Sequence, residues 1–388
     1  MSAGMPGTPT TPTTRFTDID RCWMARALEL ARAGLYSAAP NPRVGCVIAR
    51  GERMLGEGFH ARTGGPHAEV EALAAAGKAA RGATAYLGLE PCSHHGRTPP
   101  CSEALIAAGI GRVVAAIEDP NPQVAGEGFA RLRQAGIEVA CGLMAEEASA
   151  LNAGFIRRMA QGRPRVTVKL AASLDGRTAM ASGESQWITG AAAREDVQRL
   201  RGESCAVVTG VGTVLADDPR MDLRLCEALA RGRQPLRVVL DSGLRTPPGA
   251  RILAPPGRAL VCAAATPAGK AGNAGFEAAL RTLEAAGAEV QPLPPGRAGL
   301  DLGVLLEALA ARECNEVLVE AGPTVAGAFV AAGLADRLVI YLAPSLLGSD
   351  AREMVTLPGL TRMSERLQWR FSEVRRVGED LRITAEPA

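Results

Sequence analysis

Two hydrophobic periodicities alternate along this chain from Asp20 to Pro344, and that alternation limits the fold more than any single motif does. Short runs dense in Val, Ile, Leu and Ala read as strands at 43–50, 83–90, 112–119 and 138–142, with 51–60 returning as a hairpin partner. Between them, stretches with apolar residues three and four apart read as helices at 20–34, 67–80, 101–110 and 128–137. The pattern breaks at "NAGFIRRMAQGRP" (152–164), which is polar, basic and closes on Gly-Arg-Pro. A second series follows, with strands at 165–173, 205–211, 236–242, 258–265, 316–322 and 336–344 and helices at 191–201, 273–287, 301–314 and 324–333. Such alternation packs helices on sheets, so the fold class is α/β. A chain of 388 residues is long for one core and comfortable for two. The expected division is a Thr/Pro/Gly-rich disordered lead-in at 1–17, a first domain at 18–160 and a second at 161–388.

Composition removes several classes of function. Net charge is only +2 and aromatic residues are 3%, so no basic field or stacking platform recruits nucleic acid. Nine cysteines scattered through the chain are no disulfide framework and fit a reducing compartment. No apolar run is long enough to span a bilayer, and the N-terminal stretch lacks the charged start and apolar centre of a signal peptide. The expected setting is cytoplasmic, without a membrane partner.

All four histidines, His60, His67, His94 and His95, fall in one short window of the first domain. His67 and Glu69 form "HAE" at a helix start, and Cys92 and Cys101 bracket the loop "SHHGRTPP" past the end of a strand. One imidazole and two thiolates supply the three protein ligands of a catalytic zinc and leave one position for water. A carboxylate two residues from the imidazole can take that water's proton and pass it to a leaving amine. Helix starts favour the thiolates. The set approaches the zinc-deaminase signature H-x-E followed by P-C-x-x-C, with a longer spacer between the cysteines. A rival ligand set uses His94 or His95, which otherwise line the substrate mouth or cap the loop. Two other readings are a nucleic-acid deaminase and a structural zinc module with four protein ligands.

The motifs "PNPRVGCVI", "PHAE" and "EPCSHHGRTPPC" resemble the bifunctional riboflavin-biosynthesis deaminase–reductase family, in which the longer cysteine spacer is itself a feature. The resemblance implies a cytidine-deaminase-like α/β/α sandwich with one Zn2+ on His67, Cys92 and Cys101, and Glu69 as proton shuttle. It also implies that Asn41 and the loop 118–126 shape the pyrimidine pocket.

The second domain has no G-x-G-x-x-G. Its turn "VEAGPTVAGAF" (319–329) places a helix start after a strand, where backbone N–H groups suit a phosphate. Polar loops at 174–190 and 210–224 follow strands, where α/β sheets bind ligands. "SLDGR", "SGESQWIT", "LADDP" and "EAGPT" resemble the reductase half of the same family, which is similar in fold to dihydrofolate reductase and uses NADPH. Carried onto this chain, the resemblance gives Ala171, Trp187, Thr213, Asp217, Ser242, Gly322, Pro323, Thr324, Val325, Ala326, Gly327 and Ala328 to the dinucleotide. It gives Ser185, Arg201, Met221, Arg224 and Glu320 to a phosphorylated ribosyl pyrimidine, with Asp217 or Glu320 as candidate proton donor. A homo-oligomer, dimer or tetramer, is the expected assembly.

Overall fold

The computed structural model describes residues 16–93, 100–122, 124–254, 256–265, 274–297 and 299–388. The lead-in before Phe16 and the histidines His94 and His95 lie outside the described residues. The chain forms two compact units, one comprising the start of the chain through Gly34 together with Arg43–Leu151, the other Leu35–Pro42 with Asn152–Ala388.

In the first unit the elements run α1 (Asp18–Ala33), β1 (Gly45–Arg50), β2 (Arg53–Phe59), α2 (Ala68–Ala76), β3 (Thr84–Leu87), α3 (Cys101–Ala108), β4 (Arg112–Ala115), α4 (Glu127–Gln134), β5 (Glu138–Cys141) and α5 (Ala145–Leu151). The sheet order is β2-β1-β3-β4-β5, with β1 antiparallel to both neighbours and β3, β4 and β5 parallel. Alternation along β1 sorts the two layers. Cys46 and Ile48 pack with α2, α3 and α4, whereas Val47 and Ala49 pack with α1 and α5. This is the expected α/β/α sandwich.

Asp20 fixes α1. It forms a capping box with Thr17, and its buried carboxylate accepts Tyr86 Oη at 3.0 Å and Arg112 at 2.7 Å. Burial raises its pKa, but the amide of Thr17, Arg112 and Tyr86 outweigh burial and hold it below the usual carboxylate range. The seating of α2 depends on Gly58. A Cβ there would stand 2.5 Å from Cβ of Glu71 and 2.8 Å from the carbonyl oxygen of Ala68, so only glycine lets the helix start lie directly on β2.

The second unit contains α6 (Ala153–Gln161), β6 (Arg165–Ser173), β7 (Arg177–Ala179), α7 (Ala191–Glu203), β8 (Ala206–Gly210), α8 (Val211–Asp217), α9 (Glu227–Ala230), β9 (Leu236–Leu240), β10 (Ala259–Ala264), α10 (Ala274–Ala285), β11 (Glu289–Leu293), β12 (Pro295–Gly296), β13 (Gly299–Leu300), α11 (Leu302–Ala311), β14 (Glu316–Val319), α12 (Pro323–Ala331), β15 (Arg337–Ala343), β16 (Arg352–Glu353), β17 (Trp369–Val377) and β18 (Asp380–Pro387). Nine strands form one sheet in the order β11-β10-β9-β8-β14-β6-β15-β18-β17. It is parallel from β11 to β15 and ends in the antiparallel pair β18 and β17. α11 and α12 cover one face, and α7 and α10 the other.

Three sequence expectations change. The boundary expected between 160 and 161 falls earlier, at Leu151/Asn152: α6 occupies most of 152–164, and Glu316 accepts the amide of Gly154 at 3.1 Å while Asn315 accepts Arg158 at 2.6 Å, which ties the helix to the second unit. The loop expected from Gly210 to Arg224 begins as the helix α8. The C-terminal hairpin of β17 and β18 carries no clear alternation and was not expected.

Replacing Gly58 with Val is expected to lift the start of α2 off β2. Metal analysis of the purified chain should show zinc retention falling by tenfold or more, while NADPH-dependent activity of the second unit stays intact.

Candidate metal centre and nucleotide cavity

β3 ends at Leu87, and the chain then runs through Glu90 and Pro91 to Cys92. Cys101 opens α3 and His67 is the N-cap of α2, so all three candidate ligands stand at element ends. His67 Nδ1 lies 3.2 Å from Cys101 Sγ and 3.6 Å from Cys92 Sγ, and the three donor atoms fall within 4.8 Å of one another. The amide of Cys101 donates to Cys92 Sγ at 3.3 Å, and Ser102 Oγ and N donate to the Cys92 carbonyl at 3.1 and 3.2 Å. The start of α3 therefore fixes the other cysteine as well as presenting its own.

The two sulfurs and the imidazole are one proton-sharing set. A hydrogen bond from Cys101 lowers the Cys92 thiol to about 4, and the same contact raises Cys101. The hydrogen bond to Cys92 raises His67. Two sulfurs and one imidazole nitrogen, converging from two helix starts and the chain that follows β3, are a donor set suited to zinc. Glu69 is buried in the first turn of α2, and burial followed by the negative charge of Cys92 raises its carboxyl above the usual range. A carboxyl tuned upward beside a metal-ligand set can carry a proton near neutral pH. His60 is not part of the ligand set. Its Nδ1–H donates to the Pro66 carbonyl at 2.9 Å, and its ring meets His67 edge to face at 5.3 Å between centroids. Burial lowers its pKa.

Glu90 is the residue here that sequence reasoning missed. Its buried carboxylate accepts the amides of Asp119 at 3.1 Å, Gly126 at 3.0 Å and Phe129 at 3.1 Å. One side chain two residues before a candidate ligand thus holds the whole loop that follows β4. A carboxylate in the apolar run "YLGLEPC" was the available signal. Asn41 closes a turn on the Ala38 carbonyl at 3.0 Å, in a segment held within the second unit by Asn315 Nδ2 to the Pro40 carbonyl and Arg233 to the Tyr36 carbonyl.

The second unit contains a cavity of about 1450 Å³ at the carboxyl ends of the parallel strands. Ala171, Ser185, Trp187, Arg201, Thr213, Asp217, Met221, Arg224, Ser242, Glu320, Gly322, Pro323, Thr324, Val325 and Ala328 all line it. Ala326 and Gly327 do not. Ala326 is fully buried in the core, and Gly327 is where α12 meets the carbonyl of Thr356, which a Cβ would approach to 1.9 Å. α12 starts at Gly322 without a side-chain cap, so no side chain there accepts from its first amides, an arrangement that suits an anion.

Eight arginines and Lys169 line the cavity against three carboxylates, Asp217, Asp301 and Glu320, so it suits a polyanionic ligand. Arg201 and Glu320 are not independent ligand-binding groups. They form a buried two-point ion pair at 2.6 and 3.0 Å, and Arg201 also donates to the Asp222 carbonyl at 3.1 Å. Burial raises Glu320, but Arg201 and Lys169 together hold it ionised below its usual range. Lys169 was missed, although a lysine inside the apolar strand "RVTVKLAAS" was the sign of it. It lines the cavity beside Glu320, and desolvation lowers its ammonium. Asp222, also buried, fixes Arg220 at 2.9 Å and Arg224 at 3.0 Å, and the Arg224 side chain remains 58% exposed with donors to spare for a phosphate. Arg194 stacks over the Trp187 ring at 4.4 Å.

A deaminase-type metal centre in one unit and an anion-binding cavity at strand ends in the other define a two-activity nucleotide enzyme. Residues 17–117 match the cytidine and deoxycytidylate deaminase zinc-binding region, and residues 164–383 match the RibD C-terminal domain. The riboflavin biosynthesis protein RibD of Escherichia coli is 51% identical, covering 93% of this chain and 98% of its own length, and that of Haemophilus influenzae is 43% identical, covering 96% and 98%. A solved RibD of Acinetobacter baumannii is 44% identical with a TM-score of 0.86, covering 95% of this chain and 99% of that one. A deaminase/reductase structure from Thermotoga maritima is 33% identical with a TM-score of 0.81 at the same coverage. The chain belongs to the RibD family. It is a bifunctional deaminase and reductase of riboflavin biosynthesis that uses Zn2+ and NADPH.

Glu90→Gln replaces one acceptor oxygen by a donor facing the loop amides. The expected result is a rise of about tenfold in the KM of the deaminase with reductase KM unchanged; steady-state kinetics of both reactions on one preparation checks it.

Proposed function

We propose that the first unit deaminates 2,5-diamino-6-(ribosylamino)pyrimidin-4-one 5'-phosphate and that the second reduces the ribosyl group of 5-amino-6-(5-phosphoribosylamino)uracil to ribityl. The observation that carries the reading is the convergence of His67, Cys92 and Cys101 beside the buried Glu69. His67 Nδ1 and the two sulfurs hold the zinc, which when bound supplies a water acidic enough to be a nucleophile near neutral pH. Glu69 takes the proton of that nucleophile on a carboxylate oxygen and delivers it to the exocyclic amine, which leaves as ammonia. Burial of Glu69 keeps its proton affinity high enough for both transfers.

In the second unit NADPH, when bound, supplies the hydride that C1' of the sugar accepts. As the C1'–O4' bond opens, O4' needs a proton, and Lys169 Nζ holds one whose release desolvation makes easier. Glu320, kept anionic by Arg201, positions that ammonium. Arg224 and Arg220, oriented by Asp222, hold the substrate phosphate. The amides of Thr324 and Val325 and the side chains of Trp187, Thr213 and Ser242 hold the dinucleotide.

No helix among the described residues is long and apolar enough to cross a membrane. Nine free thiols support a cytoplasmic setting. Phe371 and Val374, 67% and 56% exposed on the edge strand β17, support assembly as a homo-oligomer.

Incubating the full chain with the diaminopyrimidine ribosyl phosphate, with and without NADPH, separates the steps: ammonia appears in both cases, and NADPH is oxidised only after deamination. Glu69→Gln is expected to keep zinc and lose ammonia release by 10²-fold or more, while still reducing supplied aminouracil. Lys169→Met is expected to do the reverse. Ammonia release unchanged in Glu69→Gln would refute the assignment.

A further inference from the structure

One wall of the reductase cavity carries chemistry that the reaction above does not use. After β6 the chain turns back as β7, and Thr178 Oγ1 donates to the Ala171 carbonyl at 3.1 Å, which brings β7 beside a residue two positions from Lys169. The segment after β15 pairs with β7 in turn: Arg352 stands opposite Ala179 and Glu353 opposite Arg177, one strand spacing of about 4.8 Å away. Arg352 and Met354 line the cavity with Thr178 and Ala179. Glu353 is turned to Thr356, whose hydroxyl it accepts at 2.6 Å. The Arg352 guanidinium donates to no acceptor among the described residues. The charged chemistry of this wall is therefore one guanidinium and no carboxylate.

The strap that carries Arg352 hangs on an exposed carboxylate. Asp175 accepts the Ser173 hydroxyl, the Gly348 amide at 2.8 Å and the Leu347 amide at 3.2 Å. Ser173 is fully buried at the end of β6, so the hub is rooted in the sheet. The Leu174 amide donates to the Ser345 carbonyl at 2.7 Å, Arg177 to the Ala351 carbonyl at 3.1 Å and the Met354 amide to the Gly176 carbonyl at 3.1 Å. At the far end the Thr356 amide donates to the Pro323 carbonyl at 3.2 Å, at the start of α12. Hydrogen bonds hold this strap where no apolar core does: Leu174 and Leu346, beside the hub, are exposed. Arg352 is thus fixed at the backbone on both sides and unspent at the side chain. That is preorganisation for an acceptor on the ligand.

The chemistry of the two steps says which acceptor. Deamination exchanges an amine on C2 of the ring, a donor, for a carbonyl oxygen, an acceptor. A guanidinium has donors only, so it pairs with the oxygen and meets the amine donor against donor. The ring hangs from C1' through one amine nitrogen, so the group that reads it stands close to the carbon that takes the hydride, at Lys169. Among the other arginines of the lining, Arg201 is held by Glu320, Arg220 and Arg224 by Asp222, and Arg194 lies over Trp187. Arg245, Arg251 and Arg297 follow β9 and β11 in the chain, three or more strands from β6. We propose that Arg352 reads C2 of the pyrimidine and makes the reductase select the deaminated ring, with Asp175 as the positioning residue that holds Arg352 in the wall. The inference rests on the reductase reading above and adds to it the group that fixes the order of the two steps.

The test is reductase kinetics of the full chain on both rings, in a Glu69→Gln background that leaves the diaminopyrimidine intact. NADPH oxidised in excess of ammonia released reports reduction of that ring. With Arg352 present, kcat/KM for the aminouracil is expected to exceed that for the diaminopyrimidine about a hundredfold. Arg352→Ala is expected to cut this ratio about tenfold through the KM for the aminouracil, with the diaminopyrimidine little affected. Arg352→Lys, still a donor only, is expected to keep part of the preference, and Arg352→Gln, which carries an acceptor as well, to lose it. Asp175→Asn is expected to raise the aminouracil KM about tenfold with kcat little changed, and to add nothing in an Arg352→Ala chain. An unchanged ratio in Arg352→Ala overturns the proposal, as does an equal loss on both rings. Additive effects of the two substitutions overturn the positioning role of Asp175. If wild type did not reduce the aminouracil at all, the reductase reading would fall and the inference with it.

Discussion

The first unit is organised around one requirement: an imidazole nitrogen and two sulfurs must meet within a few ångströms although they come from three places in the chain. Two helix starts and a strand end meet it. The start of α3 both carries Cys101 and clamps Cys92 through an amide-to-sulfur hydrogen bond, and the start of α2 carries His67 with Glu69 two residues on, in its first turn. The rest of the sandwich holds these elements still. Gly58 lets α2 lie on the sheet, Asp20 pins α1 to Tyr86 and Arg112, and Glu90 binds the loop after β4 by three amides. Burial, followed by the negative charge of Cys92, then raises the Glu69 carboxyl above its usual range.

The second unit solves a different problem, binding a polyanion and a phosphorylated sugar without closing on either. Its parallel strands end on a common edge, so helix starts and loop arginines gather there. The buried pair of Arg201 and Glu320 is the anchor of that edge. Arg201, with Lys169 nearby, holds the Glu320 carboxyl below its usual range against the cost of burial. Of the other arginines, Arg220 and Arg224 are held by Asp222.

The sequence carried the architecture and the metal centre well, because both are written locally. Alternating periodicities gave the helix and strand order, and "HAE" with Cys92 and Cys101 carried chemistry in residue type and spacing. What it did not carry were properties of pairs distant in the chain. Arg201 and Glu320 each read as a ligand group, and only the fold brings them together to neutralise one another. Glu90 and Lys169 sat in quoted motifs, yet their roles depend on what surrounds a charge inside an apolar run. Gly327 and Ala326 belonged to a ligand-binding stretch by resemblance, whereas helix periodicity turns them to the core and to Thr356. α6 was masked by its polar, basic residues, because its stabilising contacts are hydrogen bonds to Asn315 and Glu316 and not an apolar stripe.

The most direct measurement is X-ray absorption at the zinc edge of the metal-replete, full-length chain. Two sulfurs at about 2.3 Å and one imidazole nitrogen at about 2.0 Å, with a single further light-atom neighbour exchangeable with solvent, is the expected first coordination sphere. Four protein ligands around the ion, or a shell with fewer than two sulfurs, would contradict it.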